Sequence, residues 1–418
     1  MSTPVIEIDG TTLEGGGQLV RNALALSSLT RMPIRITSIR GNRGDGGGLK
    51  AQHLSALNWL AEVTGAVVEG AWKKSKVVVF RPSVEAHVGL DLGSLGGERH
   101  VNIDVGSPGS VFLVFQAVLP VLLFGGLGDK PISLVITGGT TVSHSPSHAY
   151  VAQVLLPTLS RIGLPHITIS PPTPNYSSLI NTVTFTITPL SLGASLPAFS
   201  LVDRGEVDRV DVTVVAPSRA MRVVLRGEVR RALETWEKEF EVRMLLGDDN
   251  DDDNDGIDDN GDGAEEQQAA ARANDSGKNN NNILYLFLAL HTTTSQILST
   301  DLLLPLPSRK KKPHHHPNLT ALATRTVRAL KREYDRGGCV DYRMRDQLVV
   351  FQALASGKCR VSGGGSGAGA ADGDTSDHDE DGSGSLHTKT SRWVLGRLLG
   401  AQWDGQGNCE GVGWESGK

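Results

Sequence analysis

Phosphoryl chemistry needs a nucleophile, room for anionic oxygens and cations beside them, and this sequence carries residues of each kind. Leu386-His387-Thr388 stands at the start of the last helical stretch. A histidine there can attack phosphorus through a ring nitrogen and hold the group covalently, although a lone histidine is more often a structural one. Glu14-Gly15-Gly16-Gly17-Gln18 is followed by Arg21 one helical turn on. Three glycines between a strand and a helix let backbone come close to a ligand. The free N–H groups of the helix start favour an anion, and Arg21 falls near Gln18 on one face. Taken alone, the signal is weak, and a glycine loop that merely turns the chain is the plainer reading. It has neither the GKS/T of a Walker A loop nor GxGxxG spacing.

Two further groups suit the same chemistry. Arg40, Arg43 and Lys50 flank the glycine-rich stretch Gly41 to Gly48, and Gln52-His53 begins the next helix. Arginine forks match phosphate oxygens, and a glycine loop lets them converge. Asp346-Gln347 lies in DQLVVFQALA, whose apolar positions face a core while the acid–amide pair sits near one end. Solvated surface charge is the plainer alternative for both groups.

The elements that must position these residues form an internal repeat. Val5 to Asp9 alternates like a strand, and a glycine loop leads to a helix over Gln18 to Leu29. Ile34 to Arg40 is a strand, and a second glycine loop leads to a helix over Gln52 to Val63. Strands near Ala66 to Gly70 and Val77 to Arg81 close a βαβαββ unit. Val101 to Thr188 repeats the order, with helices over Ser110 to Leu123 and His148 to Ile162. A third, shorter copy has a helix over Val340 to Ala355, a strand over Lys358 to Val361 and a helix over Thr388 to Leu399. The fold class expected is α/β (α+β): three βαβαββ-type repeats in a large domain, with a smaller inserted α/β domain. Residues 1–189 hold repeats one and two, 190–337 the insert and 338–418 repeat three. In each copy the second loop opens onto a helix beginning with a histidine, His53, His148 or His387, so equivalent loops are expected to gather on one face.

The bulk composition sets limits. The formal charge is −5, but the acid is concentrated. Residues 248–266 carry nine Asp and two Glu, and residues 362–385 carry five Asp and one Glu, with no Lys or Arg in either. Without these seventeen acids the remainder stands at +12, a balance that suits a polyanion or, on charge alone, an ordinary basic surface. The segments 248–282 and 363–384 are too poor in apolar residues to offset their ordering entropy and are expected to be disordered. Asp251, Asp253, Asp255, Gly256 and Asp262 imitate a calcium loop, yet position twelve is Asp rather than Glu and no helices flank it. The run RKKKPHHH at 309–316 suits either a nuclear import signal or a solvated loop. Three cysteines without CxxC spacing suggest reduced thiols in an intracellular protein. The longest apolar run, Val111 to Phe124, holds Gln116 and Pro120 and is too short to span a bilayer, and the start lacks a signal peptide. A soluble protein without membrane contact is expected.

Together these stretches resemble the RNA 3'-terminal phosphate cyclase family. The matching segments are IEIDGTTLEGGGQLVRNALALS, ITSIRGNRGDGGGLKAQHLSAL, VGSPGSVFLVFQAVLP, ITGGTTV, RGGCVDYRMRDQLVVFQALASGKCRV and SLHTKTS, in the family's order. EGGGQ, IRxxR, QHL, DQL and LHT are specific in combination, although each alone is not. The resemblance implies three βαβαββ-type repeats with an inserted α/β domain. It also implies an ATP-dependent, ligase-type enzyme that turns an RNA 3'-terminal phosphate into a 2',3'-cyclic phosphate, through histidyl-AMP and RNA-adenylate intermediates. ATP and RNA 3'-phosphate ends are the implied substrates, and Mg2+ or Mn2+ the implied metal. A nuclear location is expected, with the cytoplasm as the alternative and secretion excluded. By the same resemblance His387 matches the nucleophile and Glu14 the metal-binding acid. Gln18, Arg21, Arg40, Arg43, Gln52, Gln116, Asp346 and Gln347 match positions lining the nucleotide and RNA-end site.

There are departures. Arg343 stands where the family often has an aromatic residue or histidine. The loop after Arg43 looks one residue longer, and TTVSHSPSHAY keeps little beyond its GGT start. His291 in LALHTTTS looks locally like the nucleophile but falls at a strand end in the insert. The main rival is a non-catalytic relative acting in pre-rRNA processing and ribosome biogenesis; the presence of His387, Arg21 and Arg43 argues against it. An enolpyruvyl-type transferase shares related repeats, but fold alone is a poor warrant.

Overall fold

The computed structural model describes residues 4–83, 94–95, 98–173, 179–245, 283–306, 317–364 and 384–418. The segments expected to be disordered, 248–282 and 363–384, and the basic run 309–316 lie outside the described residues, apart from 363, 364 and 384 at the edges.

Alternation builds the first sheet. It comprises β1 (Ile6–Asp9), β2 (Ile34–Thr37), β3 (Val67–Glu69) and β4 (Val78–Arg81), with helices α1 (Gly17–Thr30) and α2 (Ala51–Thr64) as crossovers. Ile8, Ile34 and Ile36 are buried, while Glu7 and Arg35 face out and pair at 3.5 Å. β1 and β2 run parallel, β4 is antiparallel to β2, and the order is β1-β2-β4-β3.

The second sheet holds β5 (Ser94–Leu95), β6 (Glu98–Asp104), β7 (Ile132–Gly138), β8 (Ile167–Ile169) and β9 (Asn181–Ile187), in the order β5-β6-β7-β9-β8. Its first crossover is α3 (Val111–Phe124), apolar nearly all round and almost wholly buried. The second, α4, runs through His148–Tyr150, a π turn at Val151–Leu155 and Leu156–Arg161.

The third sheet draws on distant chain segments. Its strands are β10 (Ser200–Leu201), β15 (Ser356–Val361), β16 (Gln402–Trp403) and β17 (Cys409–Val412), in the order β10-β15-β17-β16. Ser200 and Leu201 fall inside the stretch read from sequence as insert, yet they pair in parallel with Arg360 and Val361. In all three sheets a parallel pair is followed by the same antiparallel arrangement.

Between β10 and the third sheet's first helix lies a fourth sheet, ordered β12-β11-β13-β14. Its members are β11 (Val207–Val215), β12 (Glu241–Leu245), β13 (Ile283–Thr292) and β14 (Ile297–Pro305), with helices α5 (Arg219–Glu234) and α6 (Leu319–Asp335). Val210, Val212 and Val214 join these helices in a core of their own, while Val215, Tyr285, Phe287 and Ala289 belong to the larger core of the first three sheets. The fourth sheet therefore uses both faces: one holds its helices and the other docks on the body. Helices α7 (Tyr342–Leu354) and α8 (Leu386–Leu399) follow. Among the described residues no helix is long and apolar enough to cross a membrane, and all three cysteines are buried and free.

Candidate functional site

The glycine loop opens α1 without a side-chain cap, since Gly16 occupies the cap position. Gly15 sits at φ +59°, a conformation glycine adopts without strain. The loop folds Glu14 back so that its Oε2 accepts from the Gly16 N–H at 2.9 Å. The Glu14 carboxylate is buried, and a buried carboxylate needs charge partners. Arg43 lies against Oε1 as an ion pair rather than a directed hydrogen bond. His387 Nδ1 stands 3.8 Å from Oε2.

Helix α8 brings His387 there. Ser385 caps it by accepting from the Thr388 N–H at 3.1 Å. Ser385 and Thr388 hydroxyls both donate to Asp346 Oδ1 on α7, the former at 2.8 Å. One turn later Thr390 accepts from the Glu14 N–H at 3.1 Å, and Ser391 accepts from Gln18 Nε2 at 3.1 Å and Asn22 Nδ2 at 2.9 Å. The hydroxyl side of α8 thus fixes His387 against the glycine loop and α1.

Arg21 is buried and donates to Gln18 Oε1. Burial lowers its pKa to about 10, against the pull of Asp346, so it stays cationic at neutral pH. His53 is buried beside it. The Lys50 N–H donates to His53 Nδ1 at 3.1 Å, which assigns the ring proton to Nε2. Burial, with Arg21, Arg40 and Lys50 nearby, pushes its pKa down to about 3. A Cβ on Gly17 would meet His53 Nε2 at 2.7 Å and Arg21 Nη1 at 2.9 Å. The two donors close on the glycine backbone.

Beside this cluster a pocket of about 410 Å³, its open mouth included, forms where α1, α3, α4 and α7 meet. Its polar lining is Gln18, Arg21, Asn22, Gln116, Asp346 and Gln347; Phe115, Leu119, Val350 and Phe351 supply apolar wall. Among the described residues Gln116 Oε1 has no hydrogen-bond partner. The arrangement offers a nucleophilic nitrogen, buried cations and an apolar slot with polar anchors, suited to a phosphorylated ring compound.

Comparison with known proteins gives this geometry its context. The family model for RNA 3'-terminal phosphate cyclase matches residues 12–404. The chain belongs to that family. An RNA 3'-terminal phosphate cyclase of Desulfurococcus amylolyticus is 46% identical over 160 residues, 38% of this chain and 41% of that protein. The protein of the same name from Drosophila melanogaster is 38% identical over 160 residues, 38% of this chain and 40% of its own. That of Methanosarcina mazei is 43% identical over 159 residues, 38% and 41% of the two chains. These matched stretches span about two fifths of each relative's length. The mixed α/β fold expected from the cyclase resemblance is the fold observed.

Among the residues read from sequence, Gln18, Arg21, Gln116, Asp346 and Gln347 meet in the pocket, and Glu14, Arg43 and His387 meet beside it. Gln52 is half-buried at the start of α2, its Oε1 2.7 Å from where a Cβ on Gly109 would stand. Arg40 turns into its own loop, donating to the Gly48 carbonyl at 3.2 Å and to Asp45 at 2.9 Å. Lys50 and Arg40 hold the Asp45 carboxyl well below its usual range. Of the three repeated histidines, His53 and His387 flank the glycine loop. His148 Nε2 instead lies 2.8 Å from the Ser170 carbonyl, and its side lines a separate cavity with Ser147 and Tyr285. His291 pairs with Asp211 at 2.9 Å in the fourth sheet. Arg343 ion-pairs with Asp301 of β14 at 2.6 Å.

The sequence reading gave no site role to Ser385, Thr388, Thr390, Ser391 or Asn22. The hydroxyl-rich SLHTKTS was the signal for the first four. Mg2+ is commonly held by one or two carboxylates with water and substrate phosphates. The buried Glu14 Oε1, which has no hydrogen-bond partner among the described residues although Arg43 lies against it, fits one such position. No three His, Cys, Asp or Glu side chains converge among the described residues to form a fuller cage.

Proposed function

We propose that this chain converts an RNA 3'-terminal phosphate to a 2',3'-cyclic phosphate at the expense of ATP. The observation that carries the reading is His387 Nδ1 held 3.8 Å from the buried Glu14 carboxylate, beside a pocket walled by Gln18, Arg21, Asp346 and Gln347. With Nδ1 turned to the carboxylate, Nε2 is the nitrogen assigned to attack. It forms a bond to the α-phosphorus of ATP, the bond to the bridging oxygen breaks, and pyrophosphate leaves. An oxygen of the RNA 3'-phosphate then attacks that phosphorus and breaks the P–N bond, giving RNA-adenylate. The 2'-hydroxyl attacks the activated 3'-phosphorus, gives up its proton and expels AMP.

In this reading Arg21 and Arg43 take phosphate oxygens, as guanidinium forks do. Gln116, Asp346 and Gln347 line the nucleotide. Gln52 and Arg40 act next to the RNA end, Arg40 by shaping the loop that presents Arg43. Glu14 orients His387 and, with phosphate oxygens, would hold Mg2+ or Mn2+, whose charge neutralises phosphate when bound. The basic run at 309–316 supports a nuclear location, checked by microscopy of the tagged chain with and without it.

The test is incubation with α-labelled ATP. The expected adduct is acid-labile, is absent from His387→Ala, and discharges to AMP when RNA with a 3'-phosphate is added. A wild-type chain that is folded yet takes no label would overturn the enzymatic reading and favour the binding role in ribosome biogenesis.

A further inference from the structure

The loop Gly70 to Val77 lies outside the pocket but is fastened to the loop carrying Arg40 and Arg43. The Ile39 N–H donates to the Lys76 carbonyl at 3.0 Å, Lys74 N–H to Leu49 at 2.8 Å, and Leu49 N–H to Ser75 at 3.0 Å. Ser75 is buried and donates from its hydroxyl to the Val77 carbonyl at 2.7 Å. Gly48, at φ +77°, passes so close to the Lys74 carbonyl that a Cβ would collide with it. The two loops therefore form one stitched unit.

On this fixed loop Trp72 is 63% exposed. Lys73, Lys74 and Lys76 beside it are exposed, and residues 70–83 contain no acid. Single exposed apolar residues are common on proteins. An indole held out on a pinned loop beside three exposed lysines in the chain, adjoining the loop that carries Arg40 and Arg43, is a more specific combination. Single-stranded RNA is bound by pairing aromatic faces for its bases with cations for its backbone.

We propose that Trp72 is a stacking platform for a base of single-stranded RNA upstream of the two terminal nucleotides, with Lys73, Lys74 and Lys76 meeting the adjoining backbone. This deepens the RNA-end reading above and rests on it. A pocket of about 410 Å³, open mouth included, cannot enclose a run of RNA nucleotides. The upstream chain must leave across the surrounding loops, and this loop offers it both π-face and charge. Because every base has a π-face, the contact would add affinity with little sequence preference.

The experiment uses the full chain and a fluorescein-labelled ten-nucleotide RNA ending in a 3'-phosphate, followed by anisotropy. Trp72→Ala is expected to weaken binding by about 10-fold, and Trp72→Phe to restore most of it. Reversing Lys73, Lys74 and Lys76 to Glu should flatten the dependence of affinity on salt. Labelling of Trp72→Ala by α-labelled ATP should match wild type, as should turnover of a 3'-phosphorylated dinucleotide too short to reach the loop. The proposal is overturned if Trp72→Ala binds the ten-nucleotide RNA as wild type does, or if the dinucleotide loses as much as the longer RNA. A wild-type chain that binds RNA through Trp72 yet takes no AMP would sink the cyclase reading and leave this one standing. Capture of an acidic peptide in place of RNA would sink this one alone.

Discussion

The Ser299 hydroxyl donates to Asp341 Oδ2 at 2.6 Å, joining the fourth sheet to the helix that carries Asp346 and Gln347. Asp341 is completely buried and caps α7 by accepting from the Met344 N–H at 2.8 Å. Tyr150 of α4 donates to the same Oδ1 as Met344, at 3.2 Å. One carboxylate thus ties three parts of the chain together, although burial raises its pKa.

Removing that carboxylate should cost more than removing a donor. Asp341→Ala should destabilise by about 3 kcal/mol, since it leaves the cap and two buried hydroxyls without their acceptor. Ser299→Ala should cost about 1–2 kcal/mol. Urea unfolding of both single variants and the double should show non-additivity. Additivity to within a few tenths of a kcal/mol would show that the contact carries no coupling.

Glu333 gives a pH dependence of unusual sign. Burial raises its pKa from the ordinary 4.5 to about 7, in spite of Arg336 at 2.8 Å. Between those values the folded chain binds more protons than the unfolded one, so stability falls as pH rises, by up to about 3 kcal/mol. Glu333→Gln should remove that slope. The check is the difference in urea midpoint between variant and wild type from pH 4.5 to 7.5; a difference that does not change with pH rules the effect out.

His53 has the opposite slope. With its pKa pushed down to about 3, the folded chain resists a proton that the unfolded chain takes near 6.5. Stability is therefore full above that pH and is lost as pH falls toward 3, by up to about 5 kcal/mol. The ring should remain neutral at pH 5 in an NMR titration. A folded-state midpoint near 6 would contradict the buried, neutral assignment.

Gly17→Ala separates fold from site. Its φ is not in the left-handed region, so α1 should form, and stability should change by about 1 kcal/mol or less. The new methyl would displace His53 Nε2 and Arg21 Nη1, and displacements of ~1 Å can cost about 10²-fold in rate. AMP labelling should fall by about that factor while the melting temperature holds. Unchanged labelling would show that the cradle around Gly17 plays no part.

Much of this protein was legible in its sequence because the relevant signals are local. Alternating apolar residues placed β1, and the repeated element order placed β2 and located the second sheet within Val101 to Thr188. Glycine loops followed by helical periodicity placed α1 and α2, and the motifs EGGGQ, DQL and LHT marked residues that come together. Partnership was not legible. Arg40 and Arg43 look equivalent in IRGNRGD, yet one bonds within its loop and the other reaches Glu14. His148 repeats the position of His53 and His387 but lies against Ser170. Ser200 and Leu201 form too short a strand to carry a periodic signal, and only pairing with β15 defines it. Chain geometry over a few residues is set by local backbone and side-chain preferences, which a sequence states directly. What a charged or hydroxyl side chain touches depends on which distant segment packing brings to it and on what burial then forces it to bond. Only the assembled cores of these sheets decide that.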